Sequence, residues 1–407
     1  LNNDHNFSAL LGSEIQSDQT KTTYQANRYF PREISSDKAL NNMTLGTPYS
    51  STSELTTPIR QASFFGQLSW NYKHRYLAAA TMRADGSTKF APGNQWGYFP
   101  SLSAAWSITE EPWMKNVKWL NLLKIRASWG LTGNNRIDND MWRYLYSVST
   151  SGGPGFGETT PNGEQYYSFG NGNKFTNEKI KWETNIKRNL AADISMFDGR
   201  LNITPEFYWN TTKDLLYLSD VPTTSGYTTQ MRNIGKVSNR GAELTVNYDI
   251  LRGSDYVLSA NMTFGYNKFK VDKLNETDNI IWDNNNRWSS SNSVSTNDYC
   301  IKVGEEVGLL YGYVYDGLYS ADEFDFDPNQ NFLAVPKKGT VIMDGIFNDS
   351  QSGTATLPGK IKFKDLDGDG KITEKDKTKI GHTIPRYQGG FGLSGQYKGF
   401  DFTANFN

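Results

Sequence analysis

The sequence predicts an all-β fold: an antiparallel, up-and-down transmembrane β-barrel wall carrying long extracellular loops. Three observations predict it. Apolar side chains recur at every second residue along the chain. The alternating runs reach about ten residues, against about 5–6 for strands of soluble domains, and about 9–11 are needed to cross a bilayer. Short turns alternate with long polar connections, as in barrels with turns on one side of a membrane and loops on the other.

The alternation is clearest in Phe64-Phe65-Gly66-Gln67-Leu68-Ser69-Trp70-Asn71-Tyr72. Positions 64, 66, 68, 70 and 72 form a dry face, and Gln67, Ser69 and Asn71 a wet one. A tight polar turn, Lys73-His74-Arg75, leads to Tyr76, Ala78, Ala80, Met82 and Ala84 on the dry face, with Thr81, Arg83 and Asp85 opposite. The pattern recurs over Tyr98 to Ile108 and over Leu123 to Leu131. It continues through Ile186 to Met196, turns at Asp198-Gly199, and resumes over Leu201 to Trp209. Later arms run through Ala242 to Tyr248 and Tyr256 to Tyr266. The last pair is Tyr387 to Tyr397 and Phe400 to Phe406 around Lys398-Gly399. About a dozen strands result. Trp70, Tyr72, Trp106, Trp209, Tyr248, Tyr266 and Tyr397 stand toward the ends of dry faces, where an amphipathic ring meets lipid headgroups.

Composition agrees with a wall of this kind. The 407 residues are 37% hydrophobic but 14% aromatic, and the mean hydropathy is −0.63. No apolar run approaches the ~18 residues of a membrane helix. A barrel needs only every second side chain to be apolar. The 42 basic and 43 acidic residues leave a net charge of −1, so no field gathers nucleic acid, and strongly charged cargo is disfavoured. Cys300 has no partner for a disulfide. His5, His74 and His382 are scattered, too few for imidazole catalysis or a zinc site. No phosphate-cradling glycine loop or Gly-x-Ser-x-Gly elbow is present, and the pairs Glu110-Glu111 and Glu305-Glu306 read as solvated turn charges, so no enzyme is expected. The chain opens at Leu1 without an initiator Met or signal peptide and stops within an alternating run, which predicts an internal piece of a longer protein.

The long connections run from about Gly133 to Lys179, Asp272 to Asn297 and Ala321 to Pro385. Exposed indoles beside amides and a guanidinium suit sugar rings, which present apolar C–H faces and polar rims. Trp142, Trp282, Asn284, Arg287 and Trp288 are therefore the candidate contacts for cargo or for a covering partner. One stretch carries metal chemistry. Asp365-Leu366-Asp367-Gly368-Asp369-Gly370-Lys371-Ile372-Thr373-Glu374-Lys375-Asp376 has carboxylates at loop positions 1, 3 and 5, glycine at 6 and an apolar residue at 8. The candidate ligands of a structural divalent cation, Ca²⁺ by this pattern, are Asp365, Asp367, Asp369, Lys371 at the position that offers a backbone carbonyl, and Asp376 in place of the usual glutamate.

Several blocks read together resemble the SusC/RagA family of TonB-dependent outer-membrane transporters of Bacteroidetes. They are Arg83-Ala84-Asp85-Gly86-Ser87-Thr88-Lys89-Phe90 with Trp96-Gly97-Tyr98-Phe99-Pro100-Ser101, Ile125 to Asn134, Asn233 to Leu244, Tyr311-Gly312-Tyr313 with Asp316-Gly317, and the acidic loop running into Ile380-Gly381. The resemblance covers the chain from about residue 62 onward. It implies residues 1–407 as part of a roughly 22-stranded barrel whose plug and final strands lie elsewhere, with residues 365–376 an EF-hand-like loop within it. It further implies active import of oligosaccharides or, in the RagA branch, oligopeptides. The implied partners are a SusD/RagB-like surface lipoprotein, TonB of the TonB-ExbB-ExbD complex acting through the N-terminal part, and outer-membrane lipid. The competing reading is a soluble, extracellular, calcium-stabilised carbohydrate-binding β-module.

Overall fold

Alternation sets the strand faces, and paired register turns those faces into surfaces. The structure is a computed structural model that describes residues 4–144, 146–149, 168–171, 174–274, 280–282, 299–328, 333–343 and 356–406. It divides into two units, Leu1–Gly199 with Thr212–Ile234, and Arg200–Thr211 with Gly235–Asn407.

In the first unit six long strands follow one another: β1 His5–Asp18, β2 Ile59–Tyr72, β3 Tyr76–Ser87, β4 Trp96–Ser107, β5 Leu120–Asn134 and β6 Glu183–Met196. Each pairs antiparallel with the next. The register keeps the dry residues in rows, for example Phe7, Trp70, Ala78, Ala104, Ala127 and Leu190. Dry-face side chains stay accessible, with Leu11 at 88% and Ile15 at 83%, so among the described residues nothing covers them. Non-glycine residues take the left-handed conformation at the hairpin turn, Lys73 at φ 51° and His74 at φ 57°. That handedness matches the twist of the flanking strands, and the Asn71 side-chain oxygen accepts from the His74 N–H at 2.9 Å to hold it.

An aromatic band lies at the short-turn end. His5, Trp70, Tyr72 and Tyr76 stack along the dry face with centroid separations of 4.5–6.3 Å. The Glu111 carboxylate ties this band together, accepting from Tyr76 Oη at 2.7 Å and Trp106 Nε1 at 3.0 Å. These hydrogen bonds, Tyr76 first, hold the Glu111 carboxyl below its ordinary range. At the other end, Phe90, Ile137, Met141 and Ile180 form a small core with Trp182, Leu216 and Met231 packed against it. Parts of the first unit that lie outside the sequence-based strands include β1 itself, and beyond it a polar hairpin, Lys21–Arg28 paired with Thr47–Leu55.

The second unit contains β7 Leu201–Lys213 as far as Thr211, β8 Lys236–Arg252, β9 Tyr256–Lys273, β10 Tyr387–Tyr397 and β11 Phe400–Phe406. Strand β7 neighbours β8 in the sheet order, and β8 to β11 pair antiparallel in sequence. The ring of Tyr208 fills the space above Gly241, where any Cβ would meet it at 2.3 Å, and its hydroxyl donates to Asn267 Oδ1 at 3.1 Å.

Between β9 and β10 the sequence-based reading separates two connections, and the structure joins them. Tyr299–Lys302, Leu309–Gly312 and Tyr315–Leu318 are four-residue strands outside the wall order. Gly304 and Gly308, between the first two of these strands, take positive φ and break the run before it reaches membrane-crossing length. The first two belong to a small sheet in the order Ile280–Trp282, Tyr299–Lys302, Leu309–Gly312 and Thr378–His382. Leu309, Tyr319, Phe324 and Ile372 are buried in this connection, and Tyr319 Oη donates to the Val341 carbonyl at 2.6 Å.

Candidate functional site

The wet face of the first unit mixes both charge signs and pairs them. Arg126 grips Asp193 through two hydrogen bonds, Nε to Oδ2 at 2.8 Å and Nη2 to Oδ1 at 2.9 Å. Arg83 holds Asp85 at 2.7 and 2.9 Å and Ser63 Oγ at 3.0 Å, and lies 3.7 Å from Glu14. A concavity on this face is lined by Gln67, Thr81, Arg83, Asp85, Thr132 and Lys187, among others. Paired charges, amides and hydroxyls present a polar surface with little net charge.

The small core described above knits the loops at the far end of the same unit. Trp182 Nε1 donates to the Gln95 carbonyl at 2.9 Å, Asn94 Nδ2 to the Glu178 carbonyl at 3.1 Å, and Asn177 Nδ2 to the Met231 carbonyl at 2.9 Å. Trp142 belongs to this assembly. Its indole Nε1 donates to the Thr88 carbonyl at 3.2 Å, and the Arg143 guanidinium lies 5.4 Å from its ring centroid. Of the other candidate contacts, Trp282 ends the short strand Ile280–Trp282. Asn284, Arg287 and Trp288 lie outside the described residues. The structure therefore does not bring the candidate set together around one site among the described residues.

The acidic loop is built by its own backbone. Asp365 accepts from the Gly368 N–H at 2.6 Å and the Gly370 N–H at 2.7 Å, and both glycines need positive φ, 77° and 85°. Asp367 accepts from the Asp369 N–H at 3.2 Å and Asp369 from the Lys371 N–H at 2.8 Å. The Asp365, Asp367 and Asp369 carboxylates converge, each offering an oxygen within 4.8 Å of the others. Oxygens about 2.3–2.6 Å from one Ca²⁺ lie at most about 5 Å apart, so the spacing fits. Asp376 stands outside this group. It is wholly buried and closes the loop: Oδ1 accepts from the Leu366 N–H at 2.8 Å and Oδ2 from the Thr373 N–H at 2.7 Å. Burial pushes its carboxyl up, but the N–H groups of Thr373, Leu366 and Asp367 outweigh that and hold it below the ordinary range. Ile372 is buried at loop position 8, where Lys371–Ile372 pairs with Ile342–Met343.

Sequence reasoning misjudged two acids. Glu111 and Glu306 are not solvated turn charges; both are buried and ringed by donors. A glutamate beside a second acid carries little local sign of this: Trp106 stands five residues from Glu111, but Tyr76 and Arg386 come from 35 and 80 residues away.

Residues 1–357 match the family model described as TonB dependent receptor-like, beta-barrel. The TonB-dependent receptor P39 of Formosa agariphila is 31% identical over 426 residues, covering 100% of this chain and 38% of that protein. The chain belongs to the TonB-dependent receptor family. The TonB-dependent receptor SusC of Bacteroides thetaiotaomicron is 34% identical over 261 residues, covering 62% of this chain and 25% of SusC. Among solved structures, the RagAB peptide importer in its open-open state superposes on the whole chain and 38% of its own with a TM-score of 0.74 at 20% identity, a likeness of fold.

The chain spans little more than a third of the length of the first of these TonB-dependent receptors. Membership places it in the bacterial outer membrane, with the alternating strands as barrel wall, the dry face toward lipid and the wet face toward the lumen. The soluble-module reading falls with that assignment. The family is one of receptors and transporters rather than of enzymes.

Proposed function

We propose that the chain forms wall and outer loops of a transporter that imports oligosaccharides or oligopeptides across the outer membrane. TonB supplies the energy through the N-terminal part of the whole protein, and a SusD/RagB-like surface lipoprotein covers the loops. The observation that carries this reading is the wet face, where Arg83 with Asp85 and Arg126 with Asp193 neutralise one another among hydroxyls and amides. Such a surface hydrogen-bonds neutral polar cargo without trapping it by net charge. The importer named for peptides suggests one cargo class, and the resemblance of the sequence blocks to the SusC/RagA family suggests the other.

In this reading Trp142, Trp282, Asn284, Arg287 and Trp288 meet cargo or the lipoprotein from the outer loops. Asp365, Asp367 and Asp369, with the Lys371 carbonyl, hold a structural Ca²⁺ that cross-links the long connection, and Asp376 fixes the loop's closing end. Water completes the six to eight oxygens that Ca²⁺ takes.

The test is a deletion strain complemented with the whole gene. The account expects growth on one oligosaccharide or peptide class to depend on both the gene and TonB, and the lipoprotein and that cargo to co-purify. Uptake unaffected by loss of TonB sinks it.

A further inference from the structure

At the long-connection end of the second unit, the lipid face terminates in cations. On β8 the face carrying Tyr248, Val246, Leu244 and Ala242 continues to Arg240, whose partner on β9 is Lys268. The next pair on that face is Ser238 with Lys270. Just below, Tyr266 and Tyr387 lie 5.2 Å apart between ring centroids, and Phe264 stacks on Tyr387 at 6.2 Å. One step along a strand face is two residues, about 7 Å. Arg240 and Lys268 thus sit one step outward of the tyrosines, and Lys270 two.

Like charges directly opposite one another destabilise an antiparallel pair, and the protein compensates this one only in part. Lys268 Nζ lies 3.6 Å from Glu306, whose carboxylate already receives two hydrogen bonds from Arg386. Of the other acids nearby, Asp272 accepts from Ser238 Oγ at 3.0 Å, and Glu305 lies 3.3 Å from Lys379 Nζ. Arg240 and Lys270 make no ion pair among the described residues, although the backbone of Lys270 is bridged to that of Glu306. Arg386, half-exposed, immediately precedes Tyr387 in the chain. Two cations without an ion pair, Arg240 and Lys270, and two that share Glu306, Lys268 and Arg386, therefore stand on a rim directly above an aromatic band and an exposed apolar surface that includes Met262 and Phe264.

We propose that Arg240, Lys268, Lys270 and Arg386 bind the phosphate of an outer-leaflet glycolipid whose acyl chains lie along Phe264 and Met262. Phosphate relieves the Arg240–Lys268 repulsion, and a guanidinium offers it paired, charge-assisted hydrogen bonds. A free anion would use only the cations. A lipid uses both levels of the surface, and the cations stand at the height of its headgroup.

The test measures phosphorylated glycolipid retained by the protein extracted from its own outer membrane, by mass spectrometry. The double variant Arg240→Glu, Lys270→Glu is expected to retain at least about five-fold less. The wet-face control Lys124→Glu, Lys187→Glu, with the same change in charge, retains the wild-type amount. Heat-modifiable migration in SDS verifies that each is folded, and Arg240→Gln, expected to show a smaller loss, replaces a double variant that does not fold. Dephosphorylated glycolipid in nanodiscs is expected to bind weakly, and inorganic phosphate not to displace the native lipid. Retention unchanged in the folded rim variants, an equal loss in the control, or displacement by inorganic phosphate alone would overturn the proposal.

Discussion

Glu306 accepts two hydrogen bonds from Arg386, Nε to Oε2 at 2.9 Å and Nη2 to Oε1 at 2.6 Å, and so fastens the long connection to the residue that precedes β10. Lys268 of β9 lies 3.6 Å from the same carboxylate and His382 3.8 Å. The clamp joins both ends of the connection where it leaves the wall.

Replacing Glu306 with Gln is expected to loosen the long connection by about 1.5–3 kcal/mol, the range for hydrogen bonds to charged groups. Limited proteolysis should show faster cutting there, with barrel migration in SDS unchanged. Burial raises the Glu306 carboxyl, but the Arg386 hydrogen bonds, then its charge and those of His382 and Lys268, bring it below its ordinary 4.5. A lowered folded value means that the stabilisation is complete above the ordinary value and is lost as pH falls through the folded one. Protease resistance of the connection should therefore fall in the wild type only as the pH drops below 4.5, and the Gln variant should lose that component of the pH dependence.

Phe90 is fully buried at the centre of the loop core. Phe90→Ala should cost that core about 3–5 kcal/mol, and proteolysis should reach residues 88–95, 135–144 and 176–182 together because they share it. Cutting confined to one of these segments would mean that they do not form one unit.

The double change Asp367→Ala, Asp369→Ala should abolish any calcium-dependent protection of the long connection against protease. Asp376→Asn should loosen the loop with or without calcium, because Asp376 binds backbone N–H groups rather than joining the carboxylate cluster. Equal calcium response in all three proteins would remove the cation from the account.

Trp142→Phe keeps an aromatic ring, smaller than the indole, but not the hydrogen bond to the Thr88 carbonyl. If its role is contact with cargo or the covering lipoprotein, uptake should fall while protease resistance of the loop core stays within about 1 kcal/mol of wild type. Loss of loop resistance without loss of uptake would make it a packing residue.

The wall was legible because a barrel strand writes its environment into every second residue. Phe64 to Tyr72 and Tyr76 to Ala84 have in the structure the two faces read from the sequence. Strand β1 escaped because Leu10-Leu11 places two large apolar residues side by side and blurs the period. The joining of residues 274–386 into one connection was hidden because its short strands also alternate, and only the glycines at positive φ show where the first two stop. The buried roles of Glu111 and Glu306 depend on partners as much as 80 residues away, as with Arg386, and no local pattern encodes those. The acidic loop was legible in its ligand spacing. That Asp376 would turn to the backbone was not, since aspartate serves either role with the same atoms.

The central claim is that one face of the wall meets lipid and the other water. In a Cys300→Ser background, single cysteines along one cross-strand register test it: Leu68, Ala80 and Leu102 on the dry face, and Gln67, Thr81 and Ser101 on the wet face. In native membranes the account predicts that the first three react only with a lipid-soluble maleimide and the second three with a water-soluble one. Equal labelling of both sets by the water-soluble reagent, or the reverse pattern, would contradict it.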